Sequence, residues 1–225
     1  MADIAGKSMI QRVYEQCLKA KSLTSLLVAT DDQRIYDAVE SFGGKAIMTS
    51  PYHLNGTCRC AEVIELIEAN NDLFPSVSFD FIVNIQGDEP CLHPEQIDDL
   101  TILFNDANAA IVTQAIKEED INSFKNPNIV KVMLNEQSFA TDFFRATDKE
   151  NIEQDYFYRH IGLYGFRADI LKKIIHLEPT IHEMELKLEQ LRWLDNHYPI
   201  KVGITRYLSQ SVDTPEDLEK IYVHL

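Results

Sequence analysis

The stretch FIVNIQGDEP, residues 81–90, decides how this chain is read. Phe81, Ile82, Val83 and Ile85 form a short apolar run that leads directly into Gln86, Gly87 and the adjacent carboxylates Asp88 and Glu89. An apolar run of this length bounded by a turn reads as a buried strand. In open α/β sheets ligands bind beyond the carboxyl ends of the strands, and that is where the two carboxylates fall. A second acidic turn, SVDTPEDL at 211–218, follows another strand-like run. With Asp213 folded back beside Asp88, the pair suits Mg²⁺ and the phosphates it carries. Each turn also has a plain structural reading. Acidic residues after a strand can cap the next helix, and Asp-Thr-Pro-Glu is a good helix start with Pro at the first position.

Upstream of this stretch, Met9, Ile10, Val13, Tyr14, Cys17 and Leu18 recur with helical period after Ser8, a capping residue. Residues 26–30 read as a strand, Asp31 and Asp32 start a helix that the Gly43-Gly44 pair ends, and residues 45–49 read as a second strand. The loop PYHLNGT, 51–57, leads into a helix from about Cys58 to Asn70. Downstream, Pro94 opens a helix, and 109–116 and 129–134 are further strands. Alternating strands and helices predict an α/β fold with a mostly parallel, Rossmann-like sheet. From Lys125 onward strands 129–134, 139–144 and 158–166 follow one another with little helix between them, which predicts an antiparallel extension. A long helix over 182–196, a strand over 200–205 and a closing helix from Pro215 complete a chain expected to fold as one domain over 1–225.

The 225 residues carry 36 acidic and 21 basic side chains, a net charge of −15. That balance excludes a nucleic-acid surface, which needs clustered Lys and Arg. An anionic small substrate remains compatible, provided local cations reverse the field in one cleft. No apolar window is long enough to span a bilayer and no signal core opens the chain, so a cytoplasmic protein without membrane insertion is expected. Cys17, Cys58, Cys60 and Cys91 lack the paired spacing of a zinc site.

Seven segments in order, MTSPYHLNGTCRCAEV, VNIQGDEP, NPNIVKVMLN, FFRA, YRHIGLYGFR, LEQLRWL and VDTPEDL, together resemble the 3-deoxy-manno-octulosonate (Kdo) cytidylyltransferases. The resemblance runs from about Ile4 to the carboxyl terminus. It implies a nucleotide-diphospho-sugar transferase fold, a homodimer, and transfer of CMP from CTP to Kdo with release of pyrophosphate, a step of lipopolysaccharide biosynthesis. It also implies that Asp88 and Asp213 bind Mg²⁺ and that Gln86, Gly56, Thr57 and Arg59 hold the nucleotide. His160, Tyr164, Gln190 and Arg145 are implied contacts of the sugar acid. Such chemistry needs charge neutralised on the attacked and leaving oxygens and little covalent help from the protein. An amino-substituted Kdo is an equally compatible acceptor, since one substituent is discriminated by few contacts.

The chain departs from the family in several places. Members open with a segment like IPARxxSTRLPGKPL, a central strand and a basic loop for the triphosphate, whereas this sequence opens MADIAGKSMIQRVYEQ. Cys58 stands at an acidic position, FSRA has become FFRA, an IPW-like stretch before YRHIGLY is lacking, and Leu186 occupies an acidic position before LEQLR. The alternative function is therefore a chain that binds sugar acid or a partner subunit without turnover. Strands flanking the absent one are expected to close up, to leave a slot that another chain fills, or to leave the protein poorly soluble.

Overall fold

Ala5 and Gly6, at φ 49° and 78°, turn the chain back on itself near its start. Two consecutive positive φ values are what a tight hairpin requires, and Gly6 supplies one without steric cost. The turn joins β1 (Asp3–Ile4) to β2 (Lys7–Ser8) as an antiparallel pair. Ser8 then caps α1 (Met9–Cys17), its hydroxyl accepting the Gln11 N–H at 3.3 Å. Helix α1 buries Val13, Tyr14 and Cys17 of the face its spacing predicts, while Leu18 is exposed. Arg12 fastens the helix to the hairpin by donating from Nε to the Ile4 carbonyl at 2.6 Å.

The computed structural model describes residues 3–69, 78–145, 155–208, 211, 212, 214 and 217–219. They fall into two units, Met1–Asp98 with Ser209–Leu225, and Asp99–Leu208. The first unit continues with β3 (Val28–Thr30), α2 (Gln33–Ser41), β4 (Ala46–Met48), α3 (Gly56–Ala69) and β5 (Phe81–Asn84). Asp32 caps α2 as the sequence predicts, and β3 pairs with β4 in parallel. Val63 and Ile67 of α3 pack against Leu27, Ala29, Ile47 and Phe79, covering that parallel pair. Helix α4 (Pro94–Ile102) opens on its proline and carries the chain onward.

Among the described residues β3 pairs with β4 alone, and no ladder joins it to β5. A cleft of about 610 Å³ lies there instead, lined on one side by Leu26 to Ala29 and on the other by Val83 to Asp88. The flanking strands have therefore not closed up.

The second unit contains β6 (Ile111–Glu118), α5 (Ile121–Lys125), β7 (Lys131–Leu134), β8 (Ala140–Phe144), β9 (Phe157–Arg167), α6 (Ala168–Ile174), α7 (Ile181–Leu186), α8 (Glu189–Asp195) and β10 (Ile200–Ile204). Its strands run in the order β10-β6-β9-β7-β8. The β10–β6 pair is parallel and the β6–β9, β7–β9 and β7–β8 pairs are antiparallel. The α/β class stands, with mixed pairing. Ile111, Val112, Phe166, Leu171, Leu191 and Trp193 are almost fully buried and form the centre of this unit's core.

One element differs from expectation: the long helix over 182–196 is two helices. Lys187 sits in the left-handed region at φ 54° and ψ 49°, which ends α7 one residue before the cap of α8. Thr180 and Glu183 form a capping box at the start of α7. The Glu183 carboxylate also receives a forked pair from Arg192 of α8, Nε at 2.7 Å and Nη2 at 2.6 Å, with both side chains 12% exposed. This clamp holds the bend, and the hydrophobic period alone does not reveal it. A left-handed conformation costs a side-chain-bearing residue about 1–2 kcal/mol. Lys187→Gly should therefore stabilise the chain by up to about 1 kcal/mol after its greater unfolded-state entropy is subtracted, seen as a higher urea midpoint at unchanged m-value. Of the expected closing helix, residues 217–219 are helical, while Pro215 lies outside the described residues.

Candidate active site

The first unit brings three of the four nucleotide candidates, Gly56, Arg59 and Gln86, to one cleft. Asn55 caps α3, its Oδ1 accepting the Cys58 N–H at 2.9 Å, so the helix starts at Gly56, two residues earlier than its spacing predicts. Gly56 lies so close to Asn84 that a Cβ there would sit 2.9 Å from Asn84 Nδ2, so a larger residue would force the loop away from β5. Thr57 is buried, and Arg59 reaches back along the cleft. The Arg59 guanidinium donates to the Thr49 hydroxyl and lies 3.3 Å from Asp31 Oδ1, two contacts that fix its plane. Gly56, Arg59, Gln86 and Asp88 all line the cleft between β3 and β5. Thr57, the remaining nucleotide candidate, is buried next to Gly56 and is not part of the cleft lining.

His53 and Glu62 add a buttress that the sequence did not flag as a pair. Glu62 accepts from the His53 ring at 2.5 Å and from the Ser50 amide at 2.8 Å. Burial pushes the Glu62 carboxyl upward, but the His53 and Ser50 hydrogen bonds and the nearby Arg59 outweigh it and hold the group below its usual range. The signal available was the nine-residue step from a loop histidine to a helical glutamate.

Asp213 lies outside the described residues, so the expected metal pair is represented by Asp88. Val212 donates its N–H to the Asp88 carbonyl at 2.9 Å, which brings residues 211 and 212 to the QGDEP turn. Among the described residues no group of three or more His, Cys, Asp or Glu side chains is gathered to hold a metal. Asp88 is a hard oxygen donor, the kind that suits Mg²⁺ completed by phosphate and water.

The second unit brings two of the four sugar-acid candidates, His160 and Tyr164, into contact. The β6–β9 ladder shifts register between Thr113 and Gln114, whose partners are Tyr164 and Ile161. The Thr113 hydroxyl fills that bulge, lying 2.8 Å from the Leu163 carbonyl, 3.1 Å from that of Ile161 and 3.0 Å from His160 Nε2. With the hydroxyl proton on a carbonyl, Nε2–H donates to Oγ1 and Nδ1 is left as an acceptor. Thr113 was not singled out from sequence, although a polar pair, Thr113-Gln114, inside an apolar strand was the available sign.

His160 stacks edge-on to Phe143 at 5.1 Å and tilts against Tyr164 at 5.3 Å; Tyr164 meets Trp193 at 5.2 Å, nearly perpendicular. The Tyr164 hydroxyl is buried without a hydrogen-bond partner among the described residues. Burial, with the Glu189 carboxylate behind it, pushes the phenol well above its usual range, so it stays protonated. Gln190 is buried in the first turn of α8. Arg145 is committed to backbone, its Nε donating to the Leu186 carbonyl and its Nη1 to that of Pro127, each at 3.1 Å.

Burial pushes the His160 ring down to about 3. Between that value and the unfolded value of about 6.5, the native ring is neutral while the unfolded ring is protonated. Unfolding then takes up a proton, so this contribution to stability is full above about pH 6.5 and is lost as pH falls toward 3. Urea midpoints should fall between about pH 6.5 and pH 4.5 with a share of about 1.4 kcal/mol per pH unit from this group. The His160→Phe chain should show a visibly shallower fall, and equal slopes in both chains would remove the assignment.

An α/β unit that presents a capped helix start and a carboxylate turn to one cleft belongs to the nucleotide-handling folds, and the chain is a member of the cytidylyltransferase family, whose sequence model matches residues 1–201. Within it, a Parabacteroides distasonis protein named 3-deoxy-manno-octulosonate cytidylyltransferase is 45% identical over 237 aligned positions, covering 100% of this chain and 90% of the relative. A Thermodesulfovibrio yellowstonii protein of the same name is 42% identical, with 97% of this chain and 88% of the relative covered. A solved structure described as CMP:2-keto-3-deoxy-manno-octonic acid synthetase complexed with CTP superposes with a TM-score of 0.89 at 33% identity, covering 99% of this chain and 89% of that one. A 4-diphosphocytidyl-2C-methyl-D-erythritol synthase from Anaerococcus prevotii, at TM-score 0.60 and 11% identity over 99% of this chain and 87% of that one, shares the fold. Among the described residues no helix is long and apolar enough to cross a membrane.

Proposed function

We propose that the chain transfers CMP from CTP to 3-deoxy-manno-octulosonate, releasing pyrophosphate, as one cytidylyltransferase domain whose family match runs across both units. The observation that carries this reading is the 45% identity, across the whole chain, to a protein named for that reaction. The convergence of Gly56, Arg59, Gln86 and Asp88 on one cleft supports it.

In this reading Gly56, Thr57 and the α3 start lie against the nucleotide, where backbone N–H groups favour anions. Arg59, its plane fixed by Thr49 and Asp31, faces phosphate, and Gln86 contacts the cytidine nucleotide. Asp88 and Asp213 hold Mg²⁺, which supplies charge neutralisation on the phosphate oxygens. His160, neutral, and Tyr164, protonated, orient the sugar acid by hydrogen bonds, with Gln190 and Arg145 as further contacts of the sugar acid and Arg145 held by the Pro127 and Leu186 carbonyls. Attack of a sugar hydroxyl on the α-phosphorus then rests on positioning. A homodimer in the cytoplasm, serving lipopolysaccharide synthesis, completes the proposal.

The open cleft beside β3 favours one second reading, a chain that binds sugar acid or a partner subunit without turnover. Pyrophosphate release from CTP, Kdo and Mg²⁺, followed by an enzyme-coupled assay, decides between the two. Turnover supports transfer; saturable Kdo binding by calorimetry without turnover supports the second reading. Light scattering reads the dimer.

A further inference from the structure

A neutral imidazole carries its proton on one of two nitrogens, and the groups around the ring decide which. Burial keeps the His160 ring neutral, so the folded chain must make that choice. Among the described residues the ring has one hydrogen-bonding partner, the Thr113 hydroxyl at 3.0 Å from Nε2. Phe143 and Tyr164 meet the ring as aromatic surfaces, and the Tyr164 hydroxyl bonds to nothing among the described residues. The tautomer of His160 therefore depends on Thr113.

Thr113 is itself held in one state by the bulge. It is fully buried in β6, with Oγ1 at 2.8 Å from the Leu163 carbonyl and 3.1 Å from the Ile161 carbonyl. Carbonyl oxygens only accept, and a hydroxyl has one proton to give. Spent on a carbonyl, that proton leaves the Oγ1 lone pairs to receive Nε2–H. Turned instead to Nε2, it would set those lone pairs against two carbonyl oxygens in a buried site, a costly arrangement at low dielectric. The register shift between Thr113 and Gln114 is what brings two carbonyls to one hydroxyl, since a regular ladder spends its carbonyls on the neighbouring strand.

We propose that Thr113 is a positioning residue: by accepting from Nε2–H it fixes His160 as the tautomer whose Nδ1 accepts a hydrogen bond from a hydroxyl of the sugar acid. This inference rests on the reading of His160 as a sugar-acid contact, and it gives that contact a direction. Nδ1 accepts, while the Tyr164 phenol beside it keeps its proton and donates, so the pair offers one acceptor and one donor to the sugar's hydroxyl groups. A carboxylate, which only accepts, has no bond to gain from Nδ1.

Long-range proton–nitrogen-15 correlation on the full chain reads the tautomer, with the His160 signals assigned by their loss in His160→Phe. The parent should carry its ring proton on Nε2. Thr113→Val keeps the branched shape without the hydroxyl and should shift the ring toward Nδ1–H, while Thr113→Ser should keep the parent tautomer. Titrated by calorimetry, Kdo should bind about two- to tenfold more weakly to Thr113→Val, the loss expected of one hydrogen bond, and as tightly as the parent to Thr113→Ser. A threonine that only supports the bulge would lower the urea midpoint on removal and leave the tautomer where it was. A parent ring protonated on Nδ1 overturns the proposal without any variant, as does a Thr113→Val ring that keeps Nε2–H. If His160→Phe loses Kdo affinity and Thr113→Val does not, the proposal fails while the sugar-acid reading of His160 stands. If neither loses affinity, that reading fails and the proposal falls with it.

Discussion

Asp88→Asn should lower the rate of CTP-dependent pyrophosphate release by about 10²- to 10³-fold, the usual effect of removing one group that stabilises developing charge. Amide and carboxylate have nearly the same shape, so the Val212 N–H to Asp88 carbonyl bond and the fold around it should survive, and circular dichroism should be unchanged. If Asp88 holds Mg²⁺ as proposed, the change removes a donor's charge, and raised Mg²⁺ should recover part of the lost rate. An Asp88→Asn chain that turns over like its parent would mean that the carboxylate shapes the turn and takes no part in the reaction.

Trp193→Ala should be the most damaging single core change outside the cleft. The indole is 1% exposed and stands nearly perpendicular to both Tyr164 and Phe166, at 5.2 and 5.4 Å. Truncating such a side chain costs about 3–5 kcal/mol, a large share of the 5–15 kcal/mol that usually holds a domain together. At about 2–4 °C per kcal/mol, the melting temperature should drop by roughly 6–20 °C. Trp193→Phe keeps an aromatic body against Tyr164 and should lose less than half as much. It is the chain's sole tryptophan, so its fluorescence in the parent reports on the second unit, and the variants are followed by far-ultraviolet circular dichroism.

Much of the fold was legible because short-range rules dominate where it was read correctly. Ser8, Asp32 and Pro94 each announce a helix start by their own chemistry, and the strands at 81–84 and 157–167 stand out as apolar runs. The bend at Lys187 was hidden, because its cause is a pair nine residues apart, Glu183 and Arg192, and a left-handed residue that is neither Gly nor Asn. The cleft residues Gly56, Arg59, Gln86 and Asp88 were readable from motif segments, which encode a place in a fold. Thr113 was not, because its partner carbonyls at Ile161 and Leu163 come from a bulge whose register only pairing reveals. Nor could the period of an apolar run disclose that the His160 ring would be held uncharged, a result of what surrounds it in space.

Strand β10 pairs in parallel with β6 along five residues, from Ile200 against Ile111 to Ile204 against Ala115. About 80 residues of synthesis separate the two, roughly 4–16 s at ribosomal speeds of about 5–20 residues per second. Throughout that interval one edge of a newly made, mostly buried strand has no mate, and a nascent chain in that condition is open to mispairing. Completion of this half of the molecule on the ribosome is therefore timed by its last strand, and slowing translation after Glu118 should lengthen the period in which a chaperone must shield β6.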